Sequence, residues 1–187
     1  MRPEQVPARA ECPEPSRWTA PDGEATEIEV SRLVGAFVLA LKPDYVVETG
    51  AYHGDTSAEI GFALQALGRG RLVCVEIDIA RSEKVRARVA GLPVSVATGK
   101  ASEFLPAEPI DLLFIDCELS GRLHQLRHFK HYASPRCVIL YHDSALWDAA
   151  EGVKEMHEDR QLAVDEGTVL PWVLLPTPRG LAITRYA

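Results

Sequence analysis

Acidic and glycine residues follow an apolar run in residues 46–57, in a spacing that suits cofactor binding. Glu48 lies at the end of the run, and Gly50 and Gly54 come after it. Gly50 permits a tight turn and a close approach of the backbone to a ligand, and Gly54 precedes a helix-like segment with free N–H groups. The dinucleotide-binding fingerprint has a glycine two positions after the first, where this chain has Tyr52. The carboxylate of Glu48 would repel a phosphate but could hold an ammonium group. The loop therefore disfavours a pyrophosphate ligand.

Later apolar runs also end in polar residues. Residues 71–76 end in Glu76, where a carboxylate can accept hydrogen bonds from both hydroxyls of a ribose. Residues 93–96 form a third run, which is followed by Gly99, Lys100 and Ala101. A fourth run, residues 110–115, is followed by Asp116, and a fifth, residues 137–141, is followed by His142 and Asp143. Because the carboxyl ends of parallel strands meet at one edge of a sheet, we expect these side chains to lie together.

With its motifs in this order, the sequence resembles the class I S-adenosylmethionine-dependent methyltransferases, from about Thr26 to the C-terminus. In that family an acid precedes the glycine loop, a second acid binds the ribose, a polar loop binds the adenine, and a further acid lies beside the methyl-transfer site. The resemblance implies S-adenosylmethionine as the cofactor. The residues that it assigns to cofactor binding are Glu48, Gly50, Tyr52, Gly54, Thr56, Ser57, Glu76, Ile77, Gly99, Lys100, Ala101 and Asp116.

Asp116, His142 and Asp143 are the predicted catalytic residues. The sequence resembles the small catechol-type and macrocin-type O-methyltransferases, which implies that Asp116 and Asp143 hold Mg²⁺, an ion that lowers the pKa of a bound hydroxyl. The chain departs from the catechol type at Ser144, where that type has an amide. His142 is the alternative as a general base, because its ordinary pKa lies near neutrality. A histidine that only bonds to the backbone is equally compatible with the sequence.

The alternation of apolar runs and helix-like segments predicts an α/β fold. We expect a doubly wound, mostly parallel sheet with helices on both faces. The resemblance implies that this sheet has seven strands and that its last strand is antiparallel. Residues 168–175 and 181–185 should form a terminal hairpin. A first helix should begin near Thr26, where Glu29 completes a capping-box pattern, and should stop at Lys42-Pro43. Residues 1–25 are predicted to form a proline-rich arm and residues 26–187 the methyltransferase domain.

Composition narrows the class of protein. The chain has 187 residues, 47% of them hydrophobic, and a net charge of −7, which disfavours a broad nucleic-acid surface. Apolar runs are too short to cross a bilayer and residues 1–7 do not resemble a signal peptide, so we expect a cytoplasmic protein without a membrane partner. The basic residues Arg122, His124, Arg127, His128, Lys130 and His131 most simply form a solvated helix face, and a groove for an acidic substrate is the alternative.

These observations predict methyl transfer from S-adenosylmethionine to a hydroxyl group of a small molecule, with Mg²⁺ as one of the two mechanistic routes. Transfer to nitrogen, or a partner subunit that binds the cofactor without catalysis, are the alternatives. A nicotinamide oxidoreductase is the third alternative, and it is weakened because Tyr52 stands where the dinucleotide fingerprint has glycine. The chain has no long insertion that would cover the strand ends. The acceptor pocket should therefore come from the N-terminal arm, the loop after Asp116, residues 144–159 or a second subunit. A homodimer is for this reason among the expected assemblies.

Overall fold

The computed structural model describes residues 6–7, 15–145 and 151–187. Its strands are β1 (Val6–Pro7), β2 (Thr19–Ala20), β3 (Tyr45–Thr49), β4 (Arg71–Glu76), β5 (Val94–Thr98), β6 (Ile110–Ile115), β7 (Ala133–Tyr141), β8 (Val173–Leu175) and β9 (Leu181–Arg185). Its α-helices are α1 (Ile28–Leu41), α2 (Asp55–Leu67), α3 (Ile79–Arg88), α4 (Arg122–Lys130) and α5 (Glu151–Asp165). Short 3₁₀ turns lie at Pro15–Arg17 and Ala101–Glu103.

Seven of these strands form one sheet, in the order β5-β4-β3-β6-β7-β9-β8, while β1 and β2 pair separately. Strands β3 to β7 run parallel, and β9 is antiparallel to both of its neighbours. The predicted sheet and its antiparallel last strand are confirmed. The direction of strand addition reverses between β3 and β6, and open α/β sheets bind their ligands outside the strand ends at such a point.

Helices cover both faces of the sheet, as predicted. On one face α1 and α2 pack against inward side chains that include Val46 and Leu112. On the other face α4 and α5 pack against the alternate residues, among them Val47 and Leu113. Every residue of β3 is buried, which explains why this strand is apolar on both sides until it reaches its terminal polar residues. Among the described residues, no helix is both long enough and apolar enough to cross a membrane.

The start of α1 differs in detail from the capping-box prediction. The helix begins at Ile28, its N-cap residue is Glu27, and no side chain caps it. The hydroxyl of Thr26 instead donates to Asp116, and the carboxylate of Glu29 accepts two hydrogen bonds from Thr19. The capping-box prediction is therefore wrong, because tertiary partners use both side chains. The helix stops at the predicted place, with Lys42 in a left-handed conformation.

The turn between β8 and β9 brings the C-terminal hairpin to the edge of the sheet where the strand-end acids lie. Gly180 has a φ of 77°, and a Cβ atom there would lie 2.2 Å from the backbone nitrogen of Ala145. The backbone N–H groups of Ser144 and Ala145 donate to the carbonyls of Gly180 and Arg179. This close approach places Arg179 beside the carboxyl end of β7.

Asp111 joins the amino ends of three strands at the opposite edge of the sheet. Its carboxylate accepts hydrogen bonds from the backbone N–H of Asp44, the hydroxyl of Ser134 and the guanidinium of Arg136. Burial alone would raise the pKa of Asp111, but hydrogen bonds from Arg136, Ser134 and the Asp44 backbone lower it to about 2.

We predict that Asp111→Asn lowers the free energy of unfolding at pH 7 by about 1.5–3 kcal/mol, because hydrogen bonds to a charged group are lost. The folded pKa is below the unfolded value of about 3.9, so this stabilisation is present above that value and is lost as pH falls towards 2. Urea unfolding of wild type and variant at pH 7 and pH 3 measures the effect. If wild type and variant differed in unfolding free energy by the same amount at pH 7 and pH 3, the stabilising role of the Asp111 charge would be contradicted.

Candidate functional site

A cavity of about 710 Å³ lies at the carboxyl ends of the central strands. The sequence-predicted residues that line it are Glu48, Gly50, Tyr52, Thr56, Glu76, Ile77, Gly99, Lys100, Ala101, Asp116 and Asp143. The other predicted site residues, Gly54, Ser57 and His142, lie behind its wall. Residues 24–26, directly before α1, also line the cavity, so the segment that precedes α1 forms part of the site.

Gly50 is required by the packing of two loops. Its φ is 82°, and a Cβ atom there would lie 2.4 Å from the carbonyl oxygen of Asp116 and 2.6 Å from the Cα of Cys117. The loop after β3 thus lies directly against the loop after β6, a contact that the sequence alone does not indicate. Gly54, with a φ of 79°, is the N-cap of α2, as its position before the helix-like segment predicted.

Glu76 is oriented by backbone donors at the end of β4. Its Oε2 accepts a hydrogen bond from the N–H of Tyr52 at 2.9 Å, and its Oε1 accepts one from the N–H of Asp78 at 3.0 Å. Tyr52 adopts a φ of 50°, unusual for a residue other than glycine. Each carboxylate oxygen has two lone pairs, so one remains on each oxygen for a further donor. The carboxylate is therefore held in place and can still accept two hydroxyl groups.

Glu48 is fully buried in the floor of the cavity. Its carboxyl group accepts a hydrogen bond from Ser57, at the start of α2. Burial, and then the nearby carboxylates of Asp116 and Glu76, raise the pKa of Glu48 to about 8, although the Ser57 bond lowers it. Glu48 thus has no cationic partner among the described residues. A cation bound beside it would favour the ionised carboxylate.

The hydroxyls of Thr56 and Ser57 point to protein partners. Ser57 donates to Glu48, and the Thr56 hydroxyl shares a buried hydrogen bond of 2.8 Å with Ser31 on α1. Both side chains therefore hold α2 against its neighbours. A direct role for either hydroxyl in cofactor binding stays a prediction.

The loops after β4 and β5 form the wall on the outer side of the sheet. Ile77 is 63% exposed, directly after Glu76. The N–H of Gly99 donates to the carbonyl of Glu76, which connects the two loops. Lys100 forms an exposed ion pair with Glu103. This wall therefore presents the apolar side chain of Ile77 and the exposed ammonium group of Lys100 to the cavity.

His142 is fully buried between carboxylates. Its Nδ1 lies 2.8 Å from Asp116 Oδ1 and its Nε2 lies 2.9 Å from Glu27 Oε2. Burial alone would lower the pKa of His142, but the carboxylates of Asp116, Asp143 and Glu27 raise it to about 10. The ring is therefore protonated at neutral pH and donates from both nitrogens. This geometry does not favour His142 as a general base, and its catalytic role stays a prediction.

Asp143 lies between two arginines. Its Oδ2 is 3.0 Å from Nη2 of Arg122, and its Oδ1 is 2.6 Å from Nε of Arg179. Burial alone would raise the pKa of Asp143, but His142, Arg179 and Arg122 hold it well below its ordinary range. Arg122 also donates to the carbonyls of His142 and Cys117. The prediction of a solvated basic helix face is wrong for Arg122, which is fully buried by these contacts.

Together these side chains form a charge cluster of three acids and three cations: Glu27, Asp116, Asp143, Arg122, His142 and Arg179. The three acids balance the three cations. Sequence patterns did not identify Glu27, Arg122, Arg179 or Thr26 as site residues. Glu27 lies 115 positions from His142 along the chain, and no local motif connects them.

The charge cluster does not fit the predicted Mg²⁺. Ligand atoms of Asp116, His142 and Asp143 do lie within 4.8 Å of one another. However, the oxygens of Asp116 already accept from His142 and Thr26, and those of Asp143 face two guanidinium groups. An additional divalent cation would stand next to three positive charges, which is unfavourable in a buried place.

Comparison with known proteins agrees with this architecture. A family model described as a methyltransferase domain matches residues 47–144. No curated protein matches the sequence. The O-methyltransferase TomG from Streptomyces achromogenes, involved in tomaymycin synthesis and solved with S-adenosylmethionine, is similar in structure: the TM-score is 0.72 and identity 16%, over 88% of this chain and 82% of that chain.

Two further solved structures are similar. An O-methyltransferase from Bacillus cereus in complex with S-adenosylhomocysteine has a TM-score of 0.73 and 17% identity, over 89% of this chain and 84% of that chain. The methyltransferase PaMTH1 from Podospora anserina, bound to S-adenosylhomocysteine, has a TM-score of 0.73 and 16% identity, over 84% and 78%. At these identities the likeness shows a shared fold.

We predict that Mg²⁺ leaves the melting temperature of the protein unchanged and gives no binding heat, because Arg122, His142 and Arg179 place three positive charges beside Asp116 and Asp143. Calorimetry and a thermal scan at millimolar Mg²⁺ measure this. Micromolar binding that Asp143→Asn abolishes would contradict the account and restore the predicted metal site.

Proposed function

Because the chain belongs to the methyltransferase domain family, we propose that it transfers the methyl group of S-adenosylmethionine to a hydroxyl group of a small molecule. The family and the fold identify the class of enzyme. The choice of an oxygen acceptor is supported by the similar structures whose names describe O-methyltransferases. The small size of the acceptor is supported by the cavity, whose volume of about 710 Å³ is in the range of small-molecule sites.

The observation that carries the proposal is the placement of Glu48 and Glu76 in one cavity, at the ends of neighbouring strands. Glu76 keeps a free lone pair on each oxygen, which suits the two hydroxyls of a ribose. Glu48 is an acid without a cationic partner among the described residues, which suits the ammonium group of the cofactor's amino-acid part. A single ligand with a ribose and an ammonium group would satisfy both.

In the proposed reaction, an acceptor oxygen attacks the methyl carbon in line with the sulfonium. The protein's contribution is to hold the two reactants in this geometry, which can supply a large part of the rate acceleration. Asp116 lies in the cavity wall next to the loop of Gly50 and is held by His142 and Thr26. We propose that Asp116 lies beside the sulfonium and that His142 keeps it in position.

The cofactor assignment predicts that S-adenosylhomocysteine binds and that NAD does not, because the loop has no pyrophosphate cradle. Glu76→Gln should weaken S-adenosylhomocysteine binding by about 1.5–3 kcal/mol, since bonds between hydroxyls and a charged acceptor are lost. Glu83→Gln is the matched control, an exposed acid of α3 that pairs with Arg86. Calorimetry measures all three proteins. Tight NAD binding without S-adenosylhomocysteine binding would refute the assignment.

The proposed activity predicts that the purified chain alone transfers a labelled methyl group from S-adenosylmethionine to a member of a panel of phenols, sugars and amines. Asp116→Asn should reduce the rate at temperatures where the variant is folded, and it should also lower the free energy of unfolding, because His142 loses a charged partner. Circular dichroism and S-adenosylhomocysteine binding control for folding. Labelling only of amines would favour the nitrogen alternative. Activity that requires an added partner protein would favour the non-catalytic subunit.

A further inference from the structure

Arg179 is the cation of the charge cluster that lines the cavity. Its side chain is 12% exposed, whereas that of Arg122 is 1% exposed and lies behind the wall. Its charge is permanent under biological conditions. The chain therefore places one fixed positive charge beside Asp116, on the side of the cavity opposite the loops of β4 and β5.

The polar contacts of Arg179 fix its direction. Nε forms an ion pair with Asp143 Oδ1 at 2.6 Å, although its N–H is not aligned for a hydrogen bond, and Nη1 donates to the carbonyls of Glu24 and Ala25 at 3.2 and 3.1 Å. Its backbone N–H donates to Glu27. Within the part of the chain that the structure describes, no acceptor is found for Nη2. A guanidinium held at two nitrogens thus keeps its third nitrogen for a ligand.

We propose, as an extension of the proposed function, that Arg179 binds the acceptor oxygen of the substrate through Nη2, and that the acceptor is an acidic hydroxyl that reacts as its anion. Arg179 thereby supplies the positive charge that a metal ion would otherwise provide at this place. A phenol or an enol fits this description, whereas an alcohol of a sugar is too weakly acidic to be ionised near neutral pH.

The charges near Arg179 are compatible with an anionic oxygen. Asp116 and Glu27 bond to His142, and Asp143 lies between Arg122 and Arg179, so the charge cluster has no excess of negative charge. Outside the charge cluster, the acidic residues that line the cavity and that a bound anion would have to avoid are Glu24, Glu48, Asp55, Glu76 and Glu118. The sulfonium of the cofactor adds a positive charge from the other side. An anion between sulfonium and guanidinium is attracted by both.

The reaction balances without a metal. The acceptor hydroxyl loses its proton to solvent before or during binding. The oxygen anion then forms a bond to the methyl carbon while the bond from that carbon to sulfur breaks, and the electron pair stays on sulfur. The products are a neutral methyl ether and S-adenosylhomocysteine. The neutral ether no longer pairs with Arg179, which assists its release.

The test uses 4-nitrophenol, whose anion is coloured, and 4-nitrobenzyl alcohol, a non-acidic hydroxyl of similar size. Each is titrated into the wild-type protein saturated with S-adenosylhomocysteine. We expect 4-nitrophenol to bind with its apparent pKa lowered by about one unit, a tenfold preference for the anion, and 4-nitrobenzyl alcohol to bind at least tenfold more weakly. Arg179→Gln should abolish the shift, and Arg179→Lys should retain part of it.

Arg127→Gln is the matched control, since Arg127 is an exposed arginine of α4 that pairs with Glu166 outside the cavity. It should leave the shift unchanged. If Arg179→Gln does not fold, the side-chain NMR signals of Arg179 are recorded in the wild-type protein instead. Addition of 4-nitrophenol should shift these signals, and unchanged signals would overturn the proposed contact.

The experiment distinguishes a failure of the role proposed for Arg179 from a failure of the proposed function. If S-adenosylhomocysteine binds but 4-nitrophenol does not bind, or binds without a shift, or keeps its shift in Arg179→Gln, the role of Arg179 is overturned and the proposed function stands. If S-adenosylhomocysteine itself does not bind, the proposed function fails first.

Discussion

The site depends on the neutralisation of six charged side chains at the carboxyl end of the sheet. Removing one partner from a buried ion pair costs about 3–5 kcal/mol, because the remaining charge is left without compensation. His142 can therefore be buried only if Glu27 and Asp116 reach its two nitrogens. Asp143 can be buried only between Arg122 and Arg179. These partners come from five separate parts of the chain, so the charge cluster forms only when the domain is assembled.

This requirement connects the fold to the function. Glu27 precedes α1, Arg122 begins α4 and Arg179 lies in the turn before β9. Once they meet at the end of β7, Asp116 is held by His142 on one side and Thr26 on the other. Asp116 is thereby fixed where the loop of Gly50 closes against it. A rigid wall beside the proposed sulfonium position favours methyl transfer, because the reaction depends on alignment.

The sequence predicted the sheet and much of the cavity lining because these features follow from local order. Glu48, Glu76 and Asp116 each end an apolar run, and the parallel topology places such residues at one edge without further information. The predicted fold is confirmed on this basis, including the antiparallel β9. The capping-box prediction failed because Thr26 and Glu29 are used by Asp116 and Thr19, partners that the helix pattern does not contain.

The charge cluster could not be predicted in the same way. Glu27 and Arg179 are 152 positions apart, and Arg122 lies in a basic segment that resembles a solvated helix face. Only the burial of Arg122 distinguishes it from Arg127, which is paired at the surface. The role predicted for His142 depended on its ordinary pKa, whereas three carboxylates raise that pKa to about 10 against the effect of burial. The division at residue 25 and the homodimer stay predictions.

A crystal structure of the chain with S-adenosylhomocysteine would show whether one bound cofactor contacts Glu76, Glu48 and Asp116. We expect the ribose hydroxyls to bond to Glu76, the ammonium group to lie beside Glu48 and the sulfur to face Asp116. Arg179 should then border the free space next to the sulfur. Cofactor bound outside the cavity, or bound with Glu48 and Glu76 both away from it, would contradict the account.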